Sequence, residues 1–323
     1  MRVLILGLSS LVQRRVQPAL HNVPGIERID VATKRSAATD TARAWMEGTV
    51  YQDYADALER SQAELVYVSL VNSDHLRWTE AALRQGRHVV VDKPSFPGLT
   101  ATQRMVALAH EQGVCLAEAT VFAYHPQIAW IKQQFQDSGD VPTRITATFS
   151  IPPMSSDNFR YRRELGGGAL WDLGPYAVSL GRVFWDEEPV DVTGRILTRE
   201  EPDGVDTSFA MLTAYAGGRS VVGTFGFDTI YRNRLDLIGK DLGIEVDRVF
   251  TTPPEVANEL RATRREGTIT LTAPAGDAFT AFFDSVRTSI GAGDWSRLTS
   301  DVLRDAATLD RLRRAAGLTA GME

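Results

Sequence analysis

The sequence lacks the features that define several common classes of protein. Cys115 is the only cysteine among 323 residues, so no disulfide can form within the chain, and a reducing, cytoplasmic environment is expected. Basic residues do not exceed acidic ones: 35 lysines and arginines face 41 acids, which argues against a general nucleic-acid-binding protein. No run of 18 consecutive apolar residues occurs, so no membrane-spanning helix and no membrane partner are expected.

The chain is long enough to fold around a hydrophobic core without disulfides or a structural metal. A protein of this size buries roughly three quarters of the surface that its unfolded chain exposes. Its hydrophobic content of 43% and charged content of 24% are ordinary for a globular protein. We therefore expect a protein of about two domains that needs no structural metal, and no metal site is predicted.

Short β-rich runs alternate with helical patterns through the first third of the chain. The runs that predict strands are Val3–Leu6, Ile29–Ala32, Leu65–Leu70, His88–Val91 and Val114–Glu118. The patterns that predict helices are Leu11–His21, Ala37–Met46, His75–Arg84 and, begun by a threonine cap, Thr100–Gln112. This alternation predicts an α/β domain with a doubly wound parallel sheet, a Rossmann domain, over residues 1–122.

The pattern changes after Phe122, where strands follow one another with few helices between them. The predicted strands are Arg144–Ile151, Val190–Leu197, Ser208–Tyr215, Ser220–Phe227, Arg234–Ile238 and Gly243–Val246. The predicted helices are Pro126–Phe135, Ala169–Phe184, Asp277–Ile290 and Ser300–Ala316. Successive strands of this kind predict an α+β domain with an open, mostly antiparallel sheet over residues 123–323.

The first strand-to-helix junction has part of a dinucleotide-binding pattern. Gly7 ends the first strand, where a following helix can point free N–H groups at a phosphate. The later glycines of the full motif are absent, and Ser9 and Ser10 offer hydroxyl and backbone donors instead. Most strand–glycine–helix junctions bind nothing, so this feature alone is weak.

The end of the second strand favours NADP(H) over NAD(H). NAD-specific sites place a carboxylate there for the ribose 2′-hydroxyl, whereas this chain has Thr33, Lys34 and Arg35 and no acid before Asp40. A hydroxyl and two cations suit a 2′-phosphate. A solvated basic turn is the alternative for an isolated pair, but the position one βα unit after Gly7 favours the phosphate.

Two further segments carry residues suited to chemistry. Lys93, within Asp92-Lys93-Pro94, follows a strand of the parallel sheet at its ligand-binding end, although an isolated lysine there is more often a surface residue. The glycines at 166–168 precede a helix on which Asp172 and Tyr176 share one face. The plainer interpretation of that segment is a glycine-rich loop before an ordinary helix, with the nearby arginines solvated.

These residues together resemble the Gfo/Idh/MocA oxidoreductases, a family that includes glucose–fructose oxidoreductase and inositol dehydrogenase. The resemblance covers nearly the whole chain and rests on the first crossover, on Asp92-Lys93-Pro94 and on the stretch 166–176. Within the family the sequence looks most like the sugar-nucleotide C-3 ketoreductases of deoxysugar biosynthesis. The segments 122–127, 150–153, 159–161 and 247–254 and the tyrosine at position 176 carry that closer likeness.

The resemblance implies roles for individual residues. Tyr176 would donate a proton to the substrate carbonyl, Lys93 would stabilise the alkoxide, and Asp172 would orient the sugar or the lysine. The implied cofactor-binding residues are Gly7, Ser9, Ser10, Leu11, Thr33, Lys34, Arg35, Leu70, Asn72, His75, Asp92, Lys93 and Pro94. The implied substrate-binding residues are Lys93, His125, Arg160, Tyr161, Arg163, Asp172 and Tyr176. For His125, contact with the nicotinamide and capping of a helix are equally favoured interpretations.

The function expected from this resemblance is NADPH-dependent reduction of a keto sugar nucleotide, with dTDP-3-keto-6-deoxyhexose the favoured substrate. The alternative enzyme is a dehydrogenase of a free sugar, a polyol or a UDP-sugar. A dinucleotide-sensing regulator without turnover is a third hypothesis, which the presence of both Lys93 and Tyr176 disfavours. The family likeness also implies a homodimer or homotetramer.

Overall fold

The strands of the first third form one parallel sheet. The computed structural model describes residues 1–35, 48–200 and 204–318. The sheet contains β1 (Arg2–Leu6), β2 (Arg28–Ala32), β3 (Val50–Tyr51), β4 (Leu65–Val68), β5 (His88–Val91) and β6 (Leu116–Glu118). Their order is β3-β2-β1-β4-β5-β6, and every neighbouring pair is parallel. This is the order of a doubly wound dinucleotide-binding domain, so the predicted Rossmann fold is confirmed.

The central strands of this sheet are apolar on both faces because helices cover both. All four residues of β4 are buried, which is typical of parallel sheets. The helices that follow the strands are α1 (Gln17–His21), α2 (Tyr54–Arg60), α3 (Asn72–Arg84) and α4 (Leu99–Gln112). The predicted helix Ala37–Met46 lies outside the described residues.

Two details of these helices differ from the expectations. The predicted helix Leu11–His21 consists of a π-helical turn, Val12–Val16, and α1. Pro18 falls in the first turn of α1, where the missing N–H of a proline is tolerated. The predicted threonine cap at Thr100 is wrong, because α4 begins at Leu99 after Gly98 and no side chain caps it.

The strands of the second half form one eight-stranded sheet. They are β7 (Arg144–Ser150), β8 (Asp191–Arg199), β9 (Asp206–Ala214), β10 (Ser220–Gly226), β11 (Arg232–Ile238), β12 (Gly243–Asp247), β13 (Glu259–Arg264) and β14 (Gly267–Thr272). Their order is β14-β13-β12-β11-β7-β10-β9-β8, and only the pair β7–β10 is parallel. The predicted mostly antiparallel sheet is therefore confirmed. The hairpin β13–β14 was not predicted.

Helices cover one face of this sheet, and along its strands buried side chains alternate with more exposed ones. The helices are α5 (Pro126–Asp137), α6 (Ala169–Val178) and α7 (Leu180–Trp185). The single helix predicted over Ala169–Phe184 is divided at Ser179, whose hydroxyl donates to the carbonyl of Pro175 at 2.7 Å. In β11, Leu235 and Leu237 are buried between more exposed neighbours, the alternation expected of a sheet with one buried face.

The last two helices, α8 (Ala278–Ala292) and α9 (Ser296–Ala315), are divided between two compact units. Unit 1 contains Met1–Ala119 and Phe279–Leu303, and unit 2 contains Thr120–Ala278 and residues from Arg304 onward. In unit 1 the ring of Phe283 lies edge-on to Tyr67, with centroids 5.4 Å apart. These units are groups of residues that pack together. The division into two domains at residue 122 stays a prediction.

Cys115 lies directly before β6 and is fully buried. Burial raises the pKa of its thiol to about 12, because the interior disfavours the thiolate. The thiol is therefore protonated at neutral pH and takes no part in the chemistry considered below.

Candidate active site

The first crossover of unit 1 requires glycine at its tightest point. Gly7 follows β1 with φ of +98°, and a Cβ placed there would lie 2.1 Å from the carbonyl oxygen of Ser69. Its N–H donates to the carbonyl of Ala32 at 2.9 Å. Gly7 therefore lets the end of β1 approach the segment that follows β4, as a dinucleotide-binding turn requires.

The two serines after Gly7 have different surroundings. The Oγ of Ser9 accepts the backbone N–H of Val12 at 3.1 Å and lies 3.1 Å from the Oγ of Ser69. Ser10 is exposed, and its hydroxyl accepts from Arg14 at 3.4 Å. Leu11 is also exposed. Ser9 thus serves the internal structure of the turn, and Ser10 is the serine that solvent reaches.

A basic group follows β2, next to the end of β1 in the sheet. Thr33 is buried, and its Oγ1 accepts the backbone N–H of Arg35 at 3.2 Å. Lys34 and Arg35 are exposed, and the Nζ of Lys34 lies 5.0 Å from the centroid of the Tyr54 ring. Two accessible cations beside a phosphate-binding turn fit the 2′-phosphate of NADP(H).

The segment after β4 is braced by a buried histidine. His75 is fully buried, with Nδ1 2.9 Å from the carbonyl oxygen of Pro94 and Nε2 3.1 Å from that of Leu70. Asn72 begins α3 and is also buried. The structure thus places Leu70 and Pro94 on either side of one ring. The predicted contact of His75 with the cofactor stays a prediction.

The motif Asp92-Lys93-Pro94 follows β5 at the carboxyl end of the sheet. The peptide between Lys93 and Pro94 is cis. Lys93 and Asp92 are partly exposed, and the Asp92 carboxylate accepts from the hydroxyls of Tyr67 and Ser69. Lys93, the predicted substrate-binding residue of unit 1, therefore follows a strand at the same end of the sheet as the turn at Gly7.

In unit 2, the glycines before α6 let the chain approach its own backbone. Gly168 has φ of +120° and donates to the carbonyl of Arg160 at 2.9 Å. A Cβ on Gly167 would lie 2.5 Å from that same oxygen. The N–H of Leu170, in the first turn of α6, donates to Asp206 at 2.6 Å. The glycine cluster therefore sets where α6 begins.

Asp172 and Arg160, both predicted to bind the substrate, form an ion pair. The Nε of Arg160 donates to Oδ2 of Asp172 at 2.8 Å, and Asp172 is nearly fully buried. The guanidinium of Arg160 also lies over the ring of Phe159, 4.5 Å from its centroid. This ion pair holds Asp172 at a fixed place on α6.

The other predicted substrate-binding residues of this segment point to different partners. The hydroxyl of Tyr161 accepts the N–H of Met154 at 3.0 Å. Nη2 of Arg163, which is exposed, donates to the carbonyl of Gly204 at 3.3 Å. The structure therefore joins Arg160 directly to Asp172, whereas Tyr161 and Arg163 contact backbone groups.

Tyr176 stands one helical turn after Asp172 in a cluster of phenylalanine rings. Its ring centroid lies 5.9 Å from that of Phe122, 5.2 Å from that of Phe149 and 5.4 Å from that of Phe250. The three phenylalanines are nearly fully buried, whereas Tyr176 is partly exposed. Aromatic contacts of this kind fix the plane of the phenol.

The loop that carries Phe250 is itself fixed by a buried amide. Asn233 accepts the N–H of Phe250 on Oδ1 at 3.0 Å and donates to the hydroxyl of Thr251 at 2.9 Å. Phe250 lay within a segment that the sequence analysis used for the family likeness, but its contact with Tyr176 was not predicted. The roles of Phe149 and Asn233 near Tyr176 were missed because each lies within a strand, where its sequence pattern is the same as that of other strand residues.

His125 caps a helix. Its Nδ1 accepts the N–H of Gln127 at 3.1 Å at the start of α5, and the residue is buried. Because Nδ1 accepts, a neutral His125 carries its hydrogen on Nε2. Of the two interpretations, the capping contact is observed, and contact with a nicotinamide stays a prediction.

The described part of the chain contains neither a metal-ligand cluster nor a membrane-spanning helix. Within residues 1–35, 48–200 and 204–318, no three or more His, Cys, Asp or Glu side chains are grouped so as to hold a metal ion. Over the same ranges, no helix has both the length and the apolar character needed to span a bilayer.

The chain matches two family models and a set of curated relatives. Residues 1–120 match the oxidoreductase family with an NAD-binding Rossmann fold, and residues 138–245 match the Gfo/Idh/MocA C-terminal domain. One relative, the dTDP-3,4-didehydro-2,6-dideoxy-alpha-D-glucose 3-reductase of Streptomyces violaceoruber, is 34% identical over 98% of this chain and 96% of its own length. The chain belongs to the Gfo/Idh/MocA oxidoreductases.

Further comparisons place this Gfo/Idh/MocA oxidoreductase near the same group of enzymes. A reductase of the same name from Saccharopolyspora spinosa is 34% identical over 91% of this chain and 90% of its own length. The crystal structure of KijD10, a 3-ketoreductase from Actinomadura kijaniata in complex with NADP and TDP-benzene, superposes with a TM-score of 0.89. It is 28% identical and covers 98% of this chain and 97% of its own. The first domain is therefore an NAD(P)-binding Rossmann domain of this family.

Proposed function

We propose that this oxidoreductase reduces the keto group of a dTDP-linked 3-keto-deoxysugar with NADPH. The observation that carries the proposal is its 34% identity, over 98% of the chain, to a reductase named for such a substrate. Two residues support the proposal: Tyr176, in an aromatic cluster of unit 2, can supply an acid, and Lys93, after β5 in unit 1, can supply a cation. NADPH, when bound, supplies the hydride.

Tyr176 is the proposed proton donor to the carbonyl oxygen. An ordinary tyrosine has a pKa of about 10 and is protonated at neutral pH, so it can give a proton as negative charge develops on the substrate oxygen. Positioned proton transfer of this kind typically accelerates a reaction by about 10²- to 10⁴-fold. The contacts of Phe149 and Phe250 with the Tyr176 ring support the proposal, because they fix the orientation of the phenol within unit 2.

Lys93 is the proposed stabiliser of that developing charge. An ammonium beside an oxyanion lowers the energy of the transition state more than that of the neutral ketone. Asp172, held by Arg160 at 2.8 Å, is proposed to accept from a sugar hydroxyl and so to orient the ring. We propose that Arg160, Tyr161 and Arg163 contact the substrate and that the arginines meet its diphosphate, since guanidinium groups bind phosphate bidentately.

The basic group after β2 supports NADP(H) over NAD(H). Lys34 and Arg35 are both exposed after β2, and the residue that directly follows this strand is Thr33 rather than a carboxylate. A 2′-phosphate would meet two cations there, whereas among the described residues directly after β2 the 2′-hydroxyl of NAD would meet no carboxylate.

A ligand panel with a matched arginine control tests the substrate class. The protein is saturated with NADP⁺, and its thermal unfolding is measured with dTDP, UDP, GDP, inositol or glucose. Saturation at about 100 times Kd stabilises a protein by about 2.7 kcal/mol, so we expect dTDP alone to raise Tm by several degrees. Arg163→Ala should lose that shift. Arg195→Ala, which removes an exposed arginine on β8, should keep it.

Other results would redirect the assignment. A shift with UDP alone would replace the thymidine nucleotide by a uridine one. A shift with inositol or glucose alone would favour a dehydrogenase of free sugars or polyols and would remove the diphosphate role of Arg163. NADPH oxidation on addition of an enzymatically generated dTDP-3-keto sugar completes the test, and its absence would contradict the proposal.

A further inference from the structure

Tyr67 carries a hydroxyl group at a buried position of the parallel sheet, where apolar side chains are usual. It lies in the middle of β4, a strand whose four residues are buried, and it is itself fully buried. Its ring packs edge-on to Phe283. A phenol buried without a partner is costly, and the hydroxyl of Tyr67 meets that need by donating to Oδ1 of Asp92.

Ser69 serves the other oxygen of the same carboxylate. It stands two residues after Tyr67, so both side chains point to one face of the sheet. Its hydroxyl donates to Oδ2 of Asp92 at 2.6 Å. The backbone N–H of Asp92 also donates to the carbonyl of Val68 at 2.9 Å. The residue before Lys93 is thus held through its main chain and through both carboxylate oxygens.

The hydrogen bonds continue from Ser69 to the phosphate-binding turn. Its Oγ lies 3.1 Å from that of Ser9, which accepts the N–H of Val12 at 3.1 Å. Because Ser69 gives its only hydrogen to Asp92, the hydroxyl of Ser9 must donate to Ser69. The donors therefore run in one direction from Val12 through Ser9 and Ser69 to Asp92.

We propose that Tyr67 and Ser69 are positioning residues for the reduction, and that Ser69 couples the cofactor turn to Lys93. Tyr67 acts only through Asp92 and so on the neighbouring Lys93. Ser69 acts on both Asp92 and Ser9, and so on the lysine and on the dinucleotide. This proposal rests on the function proposed above. It adds two residues, Tyr67 and Ser69, that act on the reaction without contacting the substrate.

The test compares three substitutions that each delete one buried hydroxyl. Tyr67→Phe removes the bond to Oδ1 of Asp92 and keeps the ring against Phe283. Ser69→Ala removes the bonds to Asp92 and to Ser9. Ser61→Ala is the matched control, because Ser61 is equally buried and donates to Asp30 at 2.9 Å in the same unit. All three should lower Tm by similar small amounts, which a structural role explains.

Three readouts then separate positioning from stability. We expect Tyr67→Phe to lower kcat about tenfold with little change in the Kd of NADPH, measured by fluorescence titration, since a lost bond to a charged group has effects of that order. Ser69→Ala should lower kcat similarly and also weaken NADPH about fivefold or more. Ser61→Ala should change neither quantity.

The third readout needs no substrate. The rate at which acetic anhydride labels Lys93 in the NADP⁺ complex is followed by peptide mass spectrometry, with Lys240 of unit 2 as internal standard. It should change in Tyr67→Phe and Ser69→Ala and stay unchanged in Ser61→Ala.

The outcomes distinguish this proposal from the proposed function. If no keto sugar is reduced by the parent protein, the proposed function fails, while labelling of Lys93 and binding of NADPH still test the positioning roles. If both variants match Ser61→Ala in labelling rate and in Kd, the positioning proposal is overturned even in an active enzyme. Loss of kcat in Ser69→Ala with unchanged Kd would overturn the coupling to the cofactor turn.

Discussion

The segment that carries Lys93 and the surroundings of Tyr176 are stabilised by different kinds of contact. Around Lys93, the contacts are hydrogen bonds: Asp92 takes the hydroxyls of Tyr67 and Ser69 at the end of a parallel sheet. Around Tyr176, the contacts are rings, with three phenylalanines including Phe250 within 6 Å centroid to centroid. One residue depends on donors and acceptors at fixed angles, and the other depends on shape.

This difference predicts which substitutions each region tolerates. A hydrogen-bonded network in a dry interior is sensitive to the loss of one polar atom at constant volume. An aromatic cluster makes few directional contacts, so it is sensitive chiefly to the loss of volume. Isosteric changes should therefore damage the surroundings of Lys93, and truncations should damage the surroundings of Tyr176.

The largest effect should come from removing the phenol oxygen itself. Tyr176→Phe keeps the ring cluster and deletes the proposed acid, so we expect kcat to fall by about 10²- to 10⁴-fold with NADPH binding unchanged. Steady-state kinetics and fluorescence titration measure both. Tyr215→Phe, which deletes a buried hydroxyl elsewhere in unit 2, should retain activity. Unchanged turnover in Tyr176→Phe would remove this residue from the mechanism.

Truncation of the aromatic cluster should come next. Phe250→Ala opens a cavity beside Tyr176 and should lower the free energy of unfolding by about 3–5 kcal/mol, measured by urea denaturation. The volume-conserving Phe250→Leu should retain most of that stability.

Activity of the folded protein separates shape from stability in that cluster. Phe209→Ala truncates another buried ring of unit 2, which stacks on Phe225. At equal folded fraction, kcat should fall in Phe250→Ala and not in Phe209→Ala. Equal kcat in both would show that the ring contact does not orient the phenol.

A smaller effect should follow from the exposed cation after β2. Arg35→Ala should weaken NADPH about tenfold and NADH little, since one charge-assisted bond to the 2′-phosphate is lost. Arg60→Ala, an exposed arginine paired with Asp56 on α2, is the control for surface charge. Equal losses for both dinucleotides would contradict the assignment of the 2′-phosphate.

The smallest effect should be a pH dependence at the start of α6. Burial raises the pKa of the Asp206 carboxyl, against the opposing bond from the N–H of Leu170. Since the folded state then holds this proton more tightly, the carboxyl's contribution to stability falls as pH rises from about 4 through the raised pKa.

Two variants isolate the pH-dependent contribution of Asp206 to stability. Asp206→Asn keeps an acceptor for Leu170, so its Tm should gain on the parent as pH rises from 4 to 7. Asp206→Ala loses the acceptor and should be less stable at every pH, by about 1–3 kcal/mol. A parallel pH profile for Asp206→Asn and the parent would contradict the raised pKa.

The parts of the fold that the sequence predicted are those with local signals. The strands before Gly7 and Lys93 were found because apolar runs bounded by glycine or proline mark buried parallel strands. The hairpin β13–β14 was missed although both strands alternate, with Leu260 and Ala262 in β13 and Ile269 and Leu271 in β14. Each strand has only two such apolar residues, which is too short a pattern to distinguish a strand from a loop.

The candidate site divides in the same way. Gly7, Lys93 and Tyr176 stand in recognisable motifs, and the sequence analysis named them. The contacts of Asp206 with Leu170 and of Phe250 with Tyr176 join residues 36 or more positions apart, and a single sequence has no local signal for such pairs. The ion pair of Arg160 with Asp172 was missed although both residues were named, because their spacing of 12 implies no contact.

The burial of Cys115 has a practical consequence for all of these experiments. Burial raises the pKa of its thiol to about 12, so the thiolate, which is the form that reacts quickly with alkylating reagents, is scarce at pH 7. The chain therefore has almost no background reactivity towards maleimides. A single cysteine introduced at an exposed position, such as Arg195 on β8, would carry a fluorophore or spin label at one defined site without further changes to the protein.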